Sequence, residues 1–289
     1  MISARTLPAP VQRFGQDVAV TFGRVTAPAR MAPSFLICGA QRCGTTSMYR
    51  TLSQHPGVLK AVLHKGVHYF DNHYDQGMSW YKGHFPLELS ARRVERQVGY
   101  RPQTFESSPY YMFHPLAAER IARDLPDTKL LVLLRDPVER AYSAHAHELA
   151  RGYETETFER VLELEESRLQ GQAEQLVADP TYQSHSHQHH GYVTRGQYVD
   201  HLVRLEGIVG RDRLHVVDSG DFFSDPEPTF NQALEFLGLP TADGIRFERH
   251  NARPRSPLPE EIRQRLDEHF KPYDERLAQW WGRIPSWRR

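Results

Sequence analysis

The 289-residue chain predicts an α/β protein, a P-loop-like three-layer fold with a central parallel sheet flanked by helices. Three observations carry that expectation. Short apolar runs alternate with helical patterns, a glycine-bearing loop joins the first run to the first helix, and two further runs lead into capped helices. The first run is Ser34-Phe35-Leu36-Ile37-Cys38-Gly39-Ala40, whose shortness and glycine stop read as a buried strand. Beyond Gly44, Met48 and Leu52 lie one helical turn apart until His55-Pro56-Gly57 ends the pattern. Lys129 to Arg135 is the second strand. Asp136-Pro137 then supplies an N-cap and first-turn pair for a helix from Val138 to Arg151. Leu214 to Asp218 is the third, followed by a helix around Thr229 to Leu237 that Gly238 closes.

Residues 1–33 read as an N-terminal extension draped on the body, and 34–289 as a single domain. An insertion or mobile lid is expected around 152–192. It begins acidic, over 154–166, and ends in the histidine stretch His185 to His190; both are expected to be solvated. Pro257 to Trp287 reads as a helix whose aromatic tail packs back on the body. Arg92, Arg93 and Arg96 read as a solvated helix face.

Lys+Arg and Asp+Glu are both 36, so no basic excess points to a nucleic-acid partner. The two cysteines, Cys38 and Cys43, exclude a disulfide scaffold and a thiolate-rich zinc site. No run of ~18 apolar residues predicts a transmembrane helix, and the first 25 residues lack a signal-like apolar core. A soluble, cytoplasmic, reduced protein is expected. No metal site is expected either, because no carboxylate set accompanies the histidine stretch.

The strongest chemical signal is Gly39-Ala40-Gln41-Arg42-Cys43-Gly44-Thr45-Thr46, between strand and helix. Its glycines are spaced as in GxxxxGK[ST], a loop whose backbone amides and helix N-terminus cradle phosphate. Thr45 stands where the lysine is expected, and the cation is Arg42 inside the loop. The competing reading is a glycine turn that binds nothing. Cys43 reads as a small packing residue. A second constellation, Arg135 at a strand's carboxyl end and Ser143 two turns into the next helix, could hold another phosphate. Alternatively, Asp136 caps the helix and Arg135 is a solvated strand end. Because this strand ends in arginine rather than aspartate, magnesium-dependent nucleotide hydrolysis is disfavoured.

These segments resemble sulfotransferases that use 3′-phosphoadenosine 5′-phosphosulfate (PAPS), in particular the heparan-sulfate type and its bacterial relatives. The resemblance includes Lys65-Gly66-Val67-His68-Tyr69-Phe70-Asp71, His73-Tyr74 with Trp80-Tyr81, Glu106-Ser107-Ser108-Pro109-Tyr110, Arg195-Gly196-Gln197-Tyr198 and Phe236-Leu237-Gly238-Leu239, over roughly 34–280. It implies PAPS as co-substrate, without a metal. Gln41, Arg42, Cys43, Gly44, Thr45 and Thr46 would hold the 5′-phosphosulfate and Arg135 with Ser143 the 3′-phosphate. Arg253, in Asn251-Ala252-Arg253-Pro254-Arg255, would close over the nucleotide.

The chain departs from the resembled pattern in three places. Arg42 replaces a common lysine, Gly66 replaces the glutamate that serves as general base, and Ser107 replaces a frequent basic residue. The remaining catalytic candidates are His68 as base, Asp71 to orient it, and Lys65 with Arg42 to neutralise the sulfuryl group. The acceptor would be a hydroxyl, less readily an amine, of a saccharide, glycolipid or small molecule. Two rivals stand beside this reading: a P-loop kinase of a small molecule, and a non-catalytic 3′-phosphonucleotide-binding protein.

Overall fold

The sheet has five parallel strands in the order β2-β3-β1-β4-β5. They are β1 Phe35–Gly39, β2 Val58–Lys60, β3 Gln103–Ser107, β4 Lys129–Leu134 and β5 Leu214–Asp218. The computed structural model describes residues 18–248, 250 and 256–289. The helices between β1 and β4 are α1 Thr45–Leu52, α2 Tyr69–Asn72, α3 Gly77–Lys82, α4 Glu88–Val98 and α5 Ala117–Asp124. After β4 come α6 Pro137–Arg151, α7 Phe158–Leu169, α8 Gln172–Ala178, α9 His185–His189 and α10 Tyr198–Val209. After β5 come α11 Ser219–Ser224, α12 Pro226–Leu237 and α13 Glu260–Trp281.

The three strands expected from apolar runs form as read. β1 is buried along its whole length, as is β4 from Leu130 to Leu134, because helices cover both faces of the sheet. Removing each Leu, Ile or Val from water favours folding by roughly 1.5–3 kcal/mol before chain entropy is charged against it. β2 and β3 were not legible. β2 has three residues, and β3 reads Gln-Thr-Phe-Glu-Ser, with one apolar side chain. Polar residues form this strand because their hydrogen bonds are met inside the fold: the Thr104 hydroxyl donates to the Leu59 carbonyl, and Glu106 sits under a loop described below.

The insertion differs from the expected solvated segment. The histidine stretch is the helix α9, with His187 4% and His190 9% exposed. Glu154 and Glu165, read as solvated, are each 4% exposed. Their charges are met locally: Glu165 accepts from the Val193 and Thr194 amides at 2.7 and 2.8 Å, and Glu154 from Arg168 at 2.7 Å and Tyr192 at 3.0 Å. A charge run marks a solvated face only where no buried donors await it. Arg92, Arg93 and Arg96 are exposed on α4, as read. Phe158 and Val161 of α7 pack with Tyr192 and with Ile262, Leu266 and Phe270 of α13, forming a second apolar cluster beside the sheet.

The chain runs from β1 to one edge of the sheet, returns through β3, then crosses to β4. Loops leaving β1 and β4 therefore part at their carboxyl ends, where open α/β sheets bind ligands.

Candidate active site

The phosphate loop leaves β1 and enters α1 without a side-chain cap, leaving the first-turn amides of α1 as donors. Arg42 has φ 69° and Gly44 φ 83°. Left-handed backbone costs a non-glycine residue ~1 kcal/mol, so at Arg42 the rest of the loop enforces it. A Cβ at Gly44 would also lie 3.0 Å from the Phe223 ring.

Arg42 Nε donates to Ser143 Oγ at 3.1 Å, across the gap to α6. Gln41 donates through Nε2 to Glu148 at 3.0 Å and accepts from Arg195 at 2.6 Å. Gly44, Thr45 and Thr46 line the cleft with them, whereas the Cys43 side chain turns into the core. The Cys43 thiol lies 3.5 Å from the Tyr198 hydroxyl, and burial raises its pKa. Both cysteines are free thiols.

Arg135 also lines the cleft, with Nη2 3.4 Å from Glu139, and Asp136 caps α6 by accepting from the Val138 and Glu139 amides. Cap and cation, set against each other as alternatives in the sequence, occur together. Ser143, grouped there with Arg135, instead touches Arg42. Arg42, Arg135 and Ser143 thus line one cleft of about 1000 Å³. The aspartate at the end of β5, Asp218, is engaged otherwise: it caps α11 and accepts from the Ser286 amide and hydroxyl. Arg253 lies outside the described residues.

Lys65 and His68 face this loop. Lys65 Nζ is 3.1 Å from Thr46 Oγ1 and 3.5 Å from Thr45 Oγ1, so an ammonium reaches the phosphate loop from another segment. Burial lowers its pKa to about 8, with Glu106 opposing and Arg42 and Arg50 adding to the fall. His68 has φ 55° and stands at the N-cap position of α2, its side chain making no cap bond. Its Nδ1 is 2.8 Å from Asp71 Oδ2, which leaves Nε2 as the nitrogen able to meet an acceptor. Burial disfavours its charged form, but the charge and hydrogen bond of Asp71, helped by Glu106, prevail over it and over Lys65 and raise its pKa.

Gly66 explains how His68 fits. A Cβ there would lie 2.6 Å from the Ser107 carbonyl oxygen and 3.3 Å from His68 Nε2. The Ser107 carbonyl thus blocks a side chain at position 66 at its first atom, with the Ser108 hydroxyl and the imidazole close beside it.

The structure adds cleft residues that the sequence reading passed over. Tyr110 and Arg195 stood inside quoted motifs, which was their only signal. Arg195 is a buried cation between the rings of Tyr110 and Phe113, 4.9 and 4.7 Å from their centroids, and burial lowers its pKa to about 10. His189 of α9 contacts Glu148 at 3.0 Å, extending a polar chain that runs through Gln41 to Arg195. Phe223 and Trp287 line the other side. Nothing local marks Trp287, which Asp274 holds at 3.0 Å.

A cleft of this kind, lined by Arg42, Lys65, Arg135 and Arg195 beside one parallel sheet, invites comparison with known proteins. The sulfotransferase domain profile matches residues 32–278. The chain belongs to the sulfotransferase family. It is a transferase on the fold of those enzymes. It is 28% identical to mouse (Mus musculus) heparan sulfate glucosamine 3-O-sulfotransferase 6 over 268 residues, covering 89% of this chain and 74% of that one. It is 25% identical to the membrane-associated sulfotransferase kil1 of Dictyostelium discoideum, covering 88% of this chain and 66% of that one. Human (Homo sapiens) heparan sulfate glucosamine 3-O-sulfotransferase 3B1 is 30% identical over 213 residues, 73% of this chain and 47% of that protein. The chain therefore spans from about half to three quarters of these relatives. The crystal structure of a sulfotransferase from Alicyclobacillus acidocaldarius superposes with a TM-score of 0.64 at 29% identity, covering 90% of this chain and all of that one. Among the described residues, no helix is long and apolar enough to cross a membrane.

Proposed function

We propose that this sulfotransferase moves a sulfuryl group from PAPS to a saccharide hydroxyl, with His68 as general base. The observation that carries the reading is the His68 imidazole in the cleft beside Gly66: Asp71 holds Nδ1, and Nε2 lies 3.3 Å from where a Cβ at 66 would stand. In the reaction, His68 Nε2 takes the acceptor's proton while its oxygen attacks sulfur. The bond from sulfur to the 5′-phosphate oxygen breaks, and the nucleotide leaves as adenosine 3′,5′-bisphosphate (PAP).

The protein's part is to position and to stabilise charge. Arg42, the first-turn amides of α1 and Lys65 would take the charge growing on the bridging and equatorial oxygens. Arg135 with Ser143 would hold the 3′-phosphate, Arg135 exchanging part of its contact with Glu139. The helical insertion around 152–192 would form the acceptor wall through α9. The heparan sulfate relatives support a saccharide acceptor.

Calorimetry with PAP against ATP, followed by an acceptor screen with labelled PAPS, tests the reading. Label transferred to a saccharide supports it; phosphate transfer from ATP and Mg²⁺ supports the kinase instead. Tight PAP binding without turnover on any acceptor supports the non-catalytic alternative.

A further inference from the structure

Glu106 lies at the carboxyl end of β3, wholly buried, yet it heads a set of contacts that ends at His68. Its Oε2 accepts from the Val67 amide at 3.2 Å and from the Ser108 hydroxyl at 2.7 Å. Ser108 Oγ in turn accepts from the His68 amide at 3.0 Å. These contacts grip Val67 and His68, and His68 is where the backbone turns left-handed. The other oxygen, Oε1, is buried without a well-formed hydrogen bond, in the neighbourhood of the Tyr81 and Tyr111 hydroxyls. A leucine or glutamine would fill the space without burying an unpaired carboxylate oxygen, so packing alone does not account for the residue.

We propose that Glu106 is a positioning residue for sulfuryl transfer: from beneath the Lys65–Asp71 loop its carboxylate, through Ser108, fixes the turn that aims the His68 imidazole into the cleft. The proposal rests on the reading of His68 as the base. The groups facing His68 are Asp71 and His73 beyond it, Lys65 before it, and Glu106 with Tyr111, whose ring meets the imidazole edge-on at 6.5 Å. Glu106 and Asp71 favour the imidazolium; Lys65 opposes it.

The test is Glu106→Gln in the full chain, with His68 followed by NMR pH titration of its ring resonance, assigned as the peak missing from His68→Ala. The expected result is a His68 midpoint moved to lower pH, turnover down ~10-fold or more, and PAP affinity within about twofold of wild type. An unchanged midpoint overturns the proposal whatever happens to turnover, and so does a loss of PAP affinity matching the loss of turnover. If Glu106→Gln does not fold, Ser108→Ala severs the same link while leaving the carboxylate in place, and a moved His68 midpoint with turnover down and PAP affinity held is then required. The titration arm is independent of catalysis. Full activity of His68→Ala would remove the base reading, while the NMR arm would still judge whether Glu106 controls that imidazole.

Discussion

The phosphate loop after β1 and the loop carrying His68 each turn on a non-glycine residue in left-handed backbone, Arg42 at φ 69° and His68 at φ 55°. The first is built largely from its own sequence: Gly44, the amides opening α1, and a cation inside the loop. Its outside contacts, such as Arg42 to Ser143, adjust a shape already specified. The second is built by its neighbours. The Tyr69 amide donates to Tyr111 Oη at 2.9 Å, the His68 amide to Ser108 and the Val67 amide to Glu106. An anion cradle made of backbone can be local. A base needs a partner, a cavity and an aim, and here all three come from elsewhere in the chain.

The largest expected effect falls on the first loop. Arg42→Ala should lower kcat/KM by ~10³-fold, since a cation at developing charge is lost, and weaken PAP in calorimetry at least ~10-fold. Retained PAP affinity would show that the amides alone form the cradle. Breaking the second loop should separate the two functions: His68→Ala should cut kcat by ~10²-fold or more while PAP affinity holds. Near-wild-type turnover would remove His68 from the mechanism.

The pH profile sharpens the comparison. His68 must be neutral to act, and its pKa is raised, so kcat should climb through a midpoint above ~6.5. Lys65 must be charged, and its pKa is lowered to about 8, so activity should fall as pH passes that value. Asp71→Asn should move the rising limb to lower pH, and Lys65→Arg should move the falling limb upward.

A smaller effect comes from putting glutamate at position 66. Gly66→Glu should lose activity and reduce stability by roughly 1–3 kcal/mol in thermal unfolding, because its Cβ would strike the Ser107 carbonyl. A gain in turnover would mean that the loop opens to accept the acid. Smallest is Cys43→Ser, expected to stay within a few-fold in kcat and about 1 kcal/mol in stability, since its side chain faces Tyr198 rather than the cleft.

Legibility followed the same divide. β1, β4 and β5 are apolar runs with turn signals, and Asp136 at the start of α6 is a local cap, so these were readable. β3 was hidden because Glu106 and Ser107 make an inside strand look like a surface. The histidines of α9 and the acids Glu154 and Glu165 read as solvated because their partners, His189 with Glu148 among them, lie far along the chain. Trp287 came to the cleft by the fold of the C-terminal tail alone.

By itself the sequence determined the parallel α/β class and the loop from Gly39 to Thr46 between strand and helix, and it singled out Arg42 and Arg135 as candidate cations for a nucleotide. Strand periodicity, glycine spacing and helix capping act over a few residues, and a reader of the chain sees them directly. Tertiary structure decided that Ser143 meets Arg42, that Lys65 reaches the threonines of the phosphate loop, and that Glu106 underlies His68. Those contacts join residues 19 to 101 positions apart. Their energies depend on burial and distance, which exist only once the sheet has brought the ends of its strands together.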